Sequence, residues 1–214
     1  LSMRPTTSLF DQSALSDIAD RLVTAARKAG ADAADAVVVR SVSQSVEIRD
    51  GAVEESERAE GDDLGLRVLV GKKQAIASTN DLSPSAMSEL VTRAVAMAKA
   101  APEDKFAGLA DEKLLAHDFP DLDLLDPELP TVAALEAQAR AAEQAGLAVK
   151  GVSKSGGASA GAGIGGIVLA TSTGFHGSYL GSSHSISMTA IAGDGTGMER
   201  DYESSSARHS SDLD

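Results

Sequence analysis

The chain of 214 residues contains no cysteine and no tryptophan, and aromatic residues make up only 3% of it. Without thiols it can form no disulfide, hold no zinc through cysteine and use no thiolate nucleophile. Four Phe and two Tyr are too few for the stacking platforms that hold single-stranded nucleic acid. Long apolar runs are missing too: none approaches the ~18 residues of a membrane-spanning helix. Positive charge is scarce. Lys and Arg number 19 against 32 Asp and Glu, a formal net charge of −13, which repels phosphate backbones and anionic lipid. Direct nucleic-acid binding and membrane docking are therefore disfavoured. Leu1 to Phe10 holds one Arg and no apolar stretch of the secretory kind. With the lack of cysteine, this fits a reducing, cytoplasmic setting.

Hydrophobic residues still amount to 43%, enough for a sizeable core of Ala, Val, Leu and Ile. From Ser13 to Ala29, Leu15, Ile18, Ala19, Leu22, Val23 and Ala26 recur at helical spacing, and Gly30 supplies a stop. Ala36 to Arg49 is rich in Val and Ile and reads as a strand. Asp50-Gly51 signals a tight hairpin, and the returning strand Ala52 to Glu60 carries Glu54, Glu55, Glu57 and Glu60, suited to an exposed ribbon or a protected edge. A second hairpin is predicted from Leu64–Val70 and Gln74–Ser78 around Gly71-Lys72-Lys73. Ser83-Pro84 opens a helix that buries Met87, Leu90, Val91, Ala94, Val95 and Ala98 and ends before Pro102.

This order predicts an α+β fold: an antiparallel sheet of hairpins covered by helices, followed by a Gly- and Ser-rich, mostly β segment. Residues 1–101 form the first domain of this scheme. An acidic, Pro-rich connection spans 102–130, and 131–214 begins a second, mostly β region. There Thr131 caps a helix stopped by Gly146, and strands are expected at Ile167–Thr171, Ser185–Ala192 and Met198–Ser206. The region ends just after a strand, leaving an edge unpaired, as in a truncated domain.

Several short patterns imitate chemistry. Gly161-Ala162-Gly163-Ile164-Gly165-Gly166 matches G-x-G-x-x-G, but a strand follows where a dinucleotide site needs a helix. It reads as a flexible glycine loop. Gly157-Ala158-Ser159-Ala160-Gly161 matches G-x-S-x-G without the helix a nucleophile elbow requires. Asp194 and His209 follow Ser159 in triad order, which is weak support for a serine hydrolase. His117, His176, His184 and His209 lack the H-E-x-x-H spacing and read as surface or half-buried residues, although His176 and His184 could meet across strands. The Glu54–Asp63 acidic run lacks a calcium-loop pattern and reads as a solvated strand face. Lys72-Lys73 reads as a solvated turn. No residue set here activates a water or a hydroxyl, so no catalytic, cofactor or metal residue is assigned.

Three stretches together resemble one family: Ser45–Glu55 leading into Gly65–Gly71 and Ala77–Ser83, then Ala170-Thr171-Ser172-Thr173-Gly174-Phe175, then Met198-Glu199-Arg200-Asp201-Tyr202 through Arg208. In this order they are similar to the TldD/PmbA family, once called modulators of DNA gyrase. The resemblance covers nearly the whole chain and implies the N-terminal half of a longer member. It implies the PmbA (TldE-like) branch, which lacks the metal-binding H-E-x-x-x-H helix of TldD-like members and pairs with them in a heterodimer that processes peptides. On this resemblance the chain is a non-catalytic subunit, the zinc sits in a TldD-like partner, and the substrate is a peptide or unfolded protein. The alternatives are the N-terminal half of a catalytic TldD-like zinc metalloprotease and a non-proteolytic, gyrase-modulator-type adaptor. Arg200, Asp201 and Tyr202 are the candidate peptide or interface contacts.

Overall fold

A computed structural model describes residues 11–214; the leader reading of Leu1 to Phe10 lies outside them. The elements run α1 (Ser13–Lys28), β1 (Ala33–Arg49), β2 (Ala52–Val70), β3 (Lys73–Thr79), α2 (Pro84–Ala100), α3 (Val132–Leu147), β4 (Val152–Thr171), β5 (His176–Ala192) and β6 (Glu199–Ala207). The six strands form one sheet in the order β3-β2-β1-β4-β5-β6. The α+β, antiparallel architecture expected from the sequence is what is found: β2 runs antiparallel to β3 and β5 to β6. The residues gather into two compact units. The first holds residues up to Ser41, Gly61–Leu122 and Gly165–Leu180; the second holds Val42–Glu60, Asp123–Ile164 and Gly181–Asp214.

In the first unit, α1 buries Leu15, Ile18, Ala19, Leu22, Val23 and Ala26, and α2 buries Met87, Leu90, Val91, Ala94, Val95 and Ala98. These are the two predicted stripes. They close on Ala36 and Val38 of β1, Leu64, Leu66 and Val68 of β2, and Val168 and Ala170 of β4. The Ser83 hydroxyl accepts the Ala86 N–H, with Pro84 at the first helical position, because a proline there loses no intrahelical bond. Asp50 and Gly51 take positive φ, 51° and 72°, the geometry of the hairpin turn that suits strand twist.

The expected strands Ala52–Glu60 and Leu64–Val70 are one strand, β2. What joins them is Asp62, 7% exposed, whose two carboxylate oxygens accept Arg40 Nε at 2.6 Å and an Arg40 terminal nitrogen at 3.3 Å. The acidic run is thus solvated except at Asp62. The Lys72-Lys73 turn is exposed at Lys72, as expected, and is also tied: the two ammonium groups donate to the carbonyls of Ala107 and Lys99, both at 3.2 Å.

The largest correction falls on the glycine segment. It is no loop but the middle of β4, whose 20 residues include every glycine from Gly156 to Gly166. Glycine weakens a strand unless a neighbour comes too close for a side chain. Here it does: a methyl group at Gly163 would sit 2.9 Å from the Val42 carbonyl oxygen. Gly146 is corrected in the same way. Helix α3 continues to Leu147, and a methyl on Gly146 would lie 2.8 Å from Met188 Cγ and Cε. This glycine admits a packing partner and does not end the helix.

The second unit has a thin core: Leu135 and Ala139 of α3 on Val46 and Ile48 of β1 and Ala160 and Ala162 of β4. One turn beyond Ala139, Glu143 is 2% exposed. Its carboxylate accepts the N–H groups of Asp50 and Gly51, each at 2.8 Å, and the Ser155 hydroxyl at 2.5 Å. Arg140, which also bonds the Gly51 carbonyl, lies one turn before it. Burial is the largest single influence on this carboxyl and opposes its charge. The bonds from Ser155, Gly51 and Asp50, with Arg140, outweigh it and hold the group below its ordinary value of 4.5. A depressed value contributes stability that is present above the ordinary range and lost as pH falls through the folded value.

Two predictions follow from this packing. Glu143→Ala leaves three donors unsatisfied and is expected to lower urea stability by about 3 kcal/mol at pH 7, with the difference from the parent shrinking as the pH drops below the glutamate range. Gly163→Ala forces a backbone shift and is expected to cost about 1–3 kcal/mol. Gly161→Ala, whose methyl would meet nothing nearer than 3.5 Å, stays within about 1 kcal/mol. Equal losses at the two glycines would show that close approach does not select them.

Candidate functional site

All three sequence candidates lie on β6, the last strand of the sheet. Arg200, Asp201 and Tyr202 pair with Ile191, Ala190 and Thr189 of β5. All three are exposed, Tyr202 to 74%. Alternate N–H groups of an edge strand point away from its neighbour. On β6 the N–H of Tyr202 donates to the Asp201 carboxylate at 2.9 Å, and that of Ser204 to the Glu203 carboxylate at 3.2 Å. These donors, two residues apart, are capped by the acid immediately before each of them. Self-capping of this kind blunts an edge that would otherwise recruit any passing strand.

The middle of the face of the second unit that does not carry Val46, Ile48, Ala160 and Ala162 is built of small side chains, with Glu47 and Arg49 of β1 and Arg200 and Tyr202 of β6 further along the same face. It presents Ser43 and Ser45 from β1, Ser159, Gly161 and Gly163 from β4, Ser185 and Ser187 from β5, and Ser204 and Ser206 from β6. The Ser159 and Ser187 hydroxyls bond each other at 2.9 Å. Strands alternate their side chains between faces. The small residues missed as strand formers are therefore the odd positions of β4 on this open face. The G-x-S-x-G serine lies here in mid-strand, without the turn and helix of a nucleophile elbow.

The downstream end of β6 is anchored by a polar cluster. Asp126 accepts the Ser210 N–H and hydroxyl, both at 3.0 Å, and its own N–H donates to Ser182 Oγ at 2.7 Å. The Ser182 hydroxyl donates to the Arg208 carbonyl at 2.6 Å, and the Arg208 guanidinium to the Ser182 carbonyl at 2.9 Å. Bonding to the Ser210 backbone, opposed by burial, leaves the Asp126 carboxyl below its ordinary value. His184, expected at or near the surface, is 2% exposed, with Nε2 3.3 Å from Asp126 Oδ2 and no hydrogen-bond partner. Ser182, His184 and Asp126 form no catalytic set, because the Ser182 hydroxyl is already committed to backbone groups. His176 does not meet His184; it pairs with Asp20 at 3.2 Å. His209 Nε2 lies 3.0 Å from the Asp123 carbonyl, which raises its pKa, and the exposed His117 lines a cleft of about 290 Å³ with His176, Phe119 and Phe175.

A six-stranded sheet with antiparallel pairing and three helices is found in other proteins too. The pattern described as PmbA/TldA metallopeptidase domain 1 matches residues 34–98, and that of the PmbA/TldA metallopeptidase central domain matches residues 122–214. The chain belongs to the PmbA/TldD metallopeptidase family. It is 37% identical over 183 residues to Metalloprotease PmbA of Escherichia coli O157:H7, covering 85% of this chain and 41% of that protein. The chain thus spans about two-fifths of the length of this curated relative. A Bacteroides thetaiotaomicron protein described as a modulator of DNA gyrase superposes with a TM-score of 0.86 at 23% identity, over 94% of this chain and 46% of its own. TldE from Thermococcus kodakarensis superposes with a TM-score of 0.72 at 15% identity, over 89% and 43%. Both share the fold.

A metallopeptidase needs a metal, but the residues described here do not fit one: no group of three or more His, Asp or Glu side chains among them is gathered to hold an ion. No helix among the described residues is long and apolar enough to cross a membrane.

The capped edge predicts its own test. Replacing Asp201 and Glu203 with Ala is expected to speed hydrogen exchange at the Tyr202 and Ser204 amides by about tenfold, while amides facing β5 keep their rates. Unchanged exchange at both positions would show that the carboxylates do not cap them.

Proposed function

We propose that this chain is the N-terminal part of a non-catalytic, PmbA-type subunit. It works in the cytoplasm with a TldD-like metallopeptidase subunit on peptides and unfolded proteins. The observation that carries the reading is the exposed β6 edge. Arg200 and Tyr202 flank backbone donors that only a movable side-chain carboxylate covers. An extended peptide adds to such an edge through main-chain bonds that ignore its sequence, and side-chain carboxylates swing aside more readily than a paired strand. The serine–glycine middle of the adjoining face leaves room beside Arg200 and Tyr202. Kinship with Metalloprotease PmbA supports the assembly role. The zinc and the groups that activate water are assigned to the partner.

Mixing experiments test this. Peptide hydrolysis is expected only when the chain, within its full-length protein, is combined with a TldD-like subunit, and it is expected to vanish with a chelator. Tyr202→Pro or Arg200→Glu in the full-length protein is expected to raise KM several-fold with little change in kcat, since binding and not chemistry is touched. Hydrolysis by the full-length protein alone would overturn the non-catalytic assignment. Unchanged kinetics in both edge variants would overturn the role of β6.

A further inference from the structure

In the first unit, the cleft of about 290 Å³ is lined by residues of the 112–119 segment and of the turn from β4 to β5. That turn lies in Thr171-Ser172-Thr173-Gly174-Phe175, one of the stretches that carry the family resemblance, and the proposed role of β6 leaves it without a task. Its bonds fix the place of a ring. The Thr171 N–H donates to the Phe175 carbonyl at 3.0 Å, and the Thr171 hydroxyl oxygen accepts the Phe175 N–H at 3.1 Å. A methyl at Gly177 would lie 3.2 Å from the Phe175 ring, so the glycine leaves that ring its room. The other segment contributes Phe119, 63% exposed. Two of the four Phe in the chain thus share one cleft. Glu112, His117 and His176 line it as well, and His176 is held by Asp20 at 3.2 Å.

The volume is below the range of about 300–1,000 Å³ that holds drug-sized ligands, and suits one long side chain. Glu112 carries the one fixed charge of the lining, is exposed, and has no ion-pair partner among the described residues. Its carboxylate and the two imidazoles are not gathered to hold a metal ion. A lone carboxylate beside phenyl rings suits an organic cation, because ring faces attract cations and the acid adds a full opposite charge. The same unit shows this chemistry in use: Lys105 Nζ lies 4.8 Å from the centroid of the exposed Phe106 ring. A guanidinium serves both groups of the cleft at once. It is planar and weakly hydrated, stacks on a ring and offers paired N–H donors to a carboxylate, whereas an ammonium is a compact, strongly hydrated point charge. An anion would be repelled by Glu112.

We infer that this cleft binds the guanidinium of an arginine side chain carried by a polypeptide, with Glu112 as its counter-ion and Phe119 and Phe175 as its stacking surfaces. The site stands apart from the reading of β6 and does not rest on it. The experiment is ligand-observed NMR titration of the full-length protein with N-acetylarginine amide and with N-acetylcitrulline amide, which keeps the shape of the side chain and loses its charge. The arginine probe is expected to bind about tenfold more tightly than the citrulline probe. Glu112→Gln is expected to bring the arginine probe down to the citrulline level and to leave the citrulline probe unchanged. Phe119→Ala is expected to weaken the arginine probe about tenfold. Both side chains are exposed, and an unchanged Tm checks that each variant is folded. Equal binding of the two probes by the parent protein, or parental binding of the arginine probe by either variant, would overturn the inference.

Discussion

The second unit hangs on one buried carboxylate. Its apolar cluster consists of Val46, Ile48, Leu135 and small alanines, and Leu135 is the one large side chain α3 brings to it. Against that modest core, Glu143 gathers the turn between β1 and β2 and the start of β4 onto a single helix through three donors. A buried charge is tolerated only when its bonds repay its desolvation. Here two backbone N–H groups and a hydroxyl do so, and the charge stays on. The exposed half of β2 runs on from this turn, so the acidic ribbon has its geometry set at its root by Glu143 and not by any packing of its own.

Charge is distributed with the same economy. An excess of 13 negative charges would work against compaction if left unpaired. Much of it is spent internally: Asp62 on Arg40, Asp35 on Arg67, Asp126 on the Ser210 backbone, Asp201 and Glu203 on their own strand. Further acids lie on the exposed half of β2, where Arg49 and Arg58 pair with Glu54 and Glu60, and along residues 111–122.

Membership in the PmbA/TldD family and the layout of β6 are the two supports of the proposed role in handling extended chains. A sheet whose last strand is capped only by side chains, beside a face of serine and glycine, offers backbone in place of shaped pockets. Backbone recognition is indifferent to sequence, which suits an assembly acting on varied peptides.

The sequence by itself determined the elements whose signal is local. Both stripes of α1 and α2, the Asp50-Gly51 turn and the Ser83-Pro84 cap follow from spacing and turn chemistry within a few residues, and the family from the resemblance of three stretches. Residues 161–166 read as a loop because glycine has poor intrinsic strand preference; only the approach of Val42 and its neighbours in β1, more than a hundred positions away, explains why side chains are absent there. Glu143 carried a faint signal, standing at the third position of the stripe Leu135, Ala139, Glu143. A carboxylate on such a stripe looks like an error until the donors of Asp50, Gly51 and Ser155 are brought to it. The tertiary structure decided these points because close approach and buried-charge satisfaction are properties of pairs of segments, and no single segment contains them.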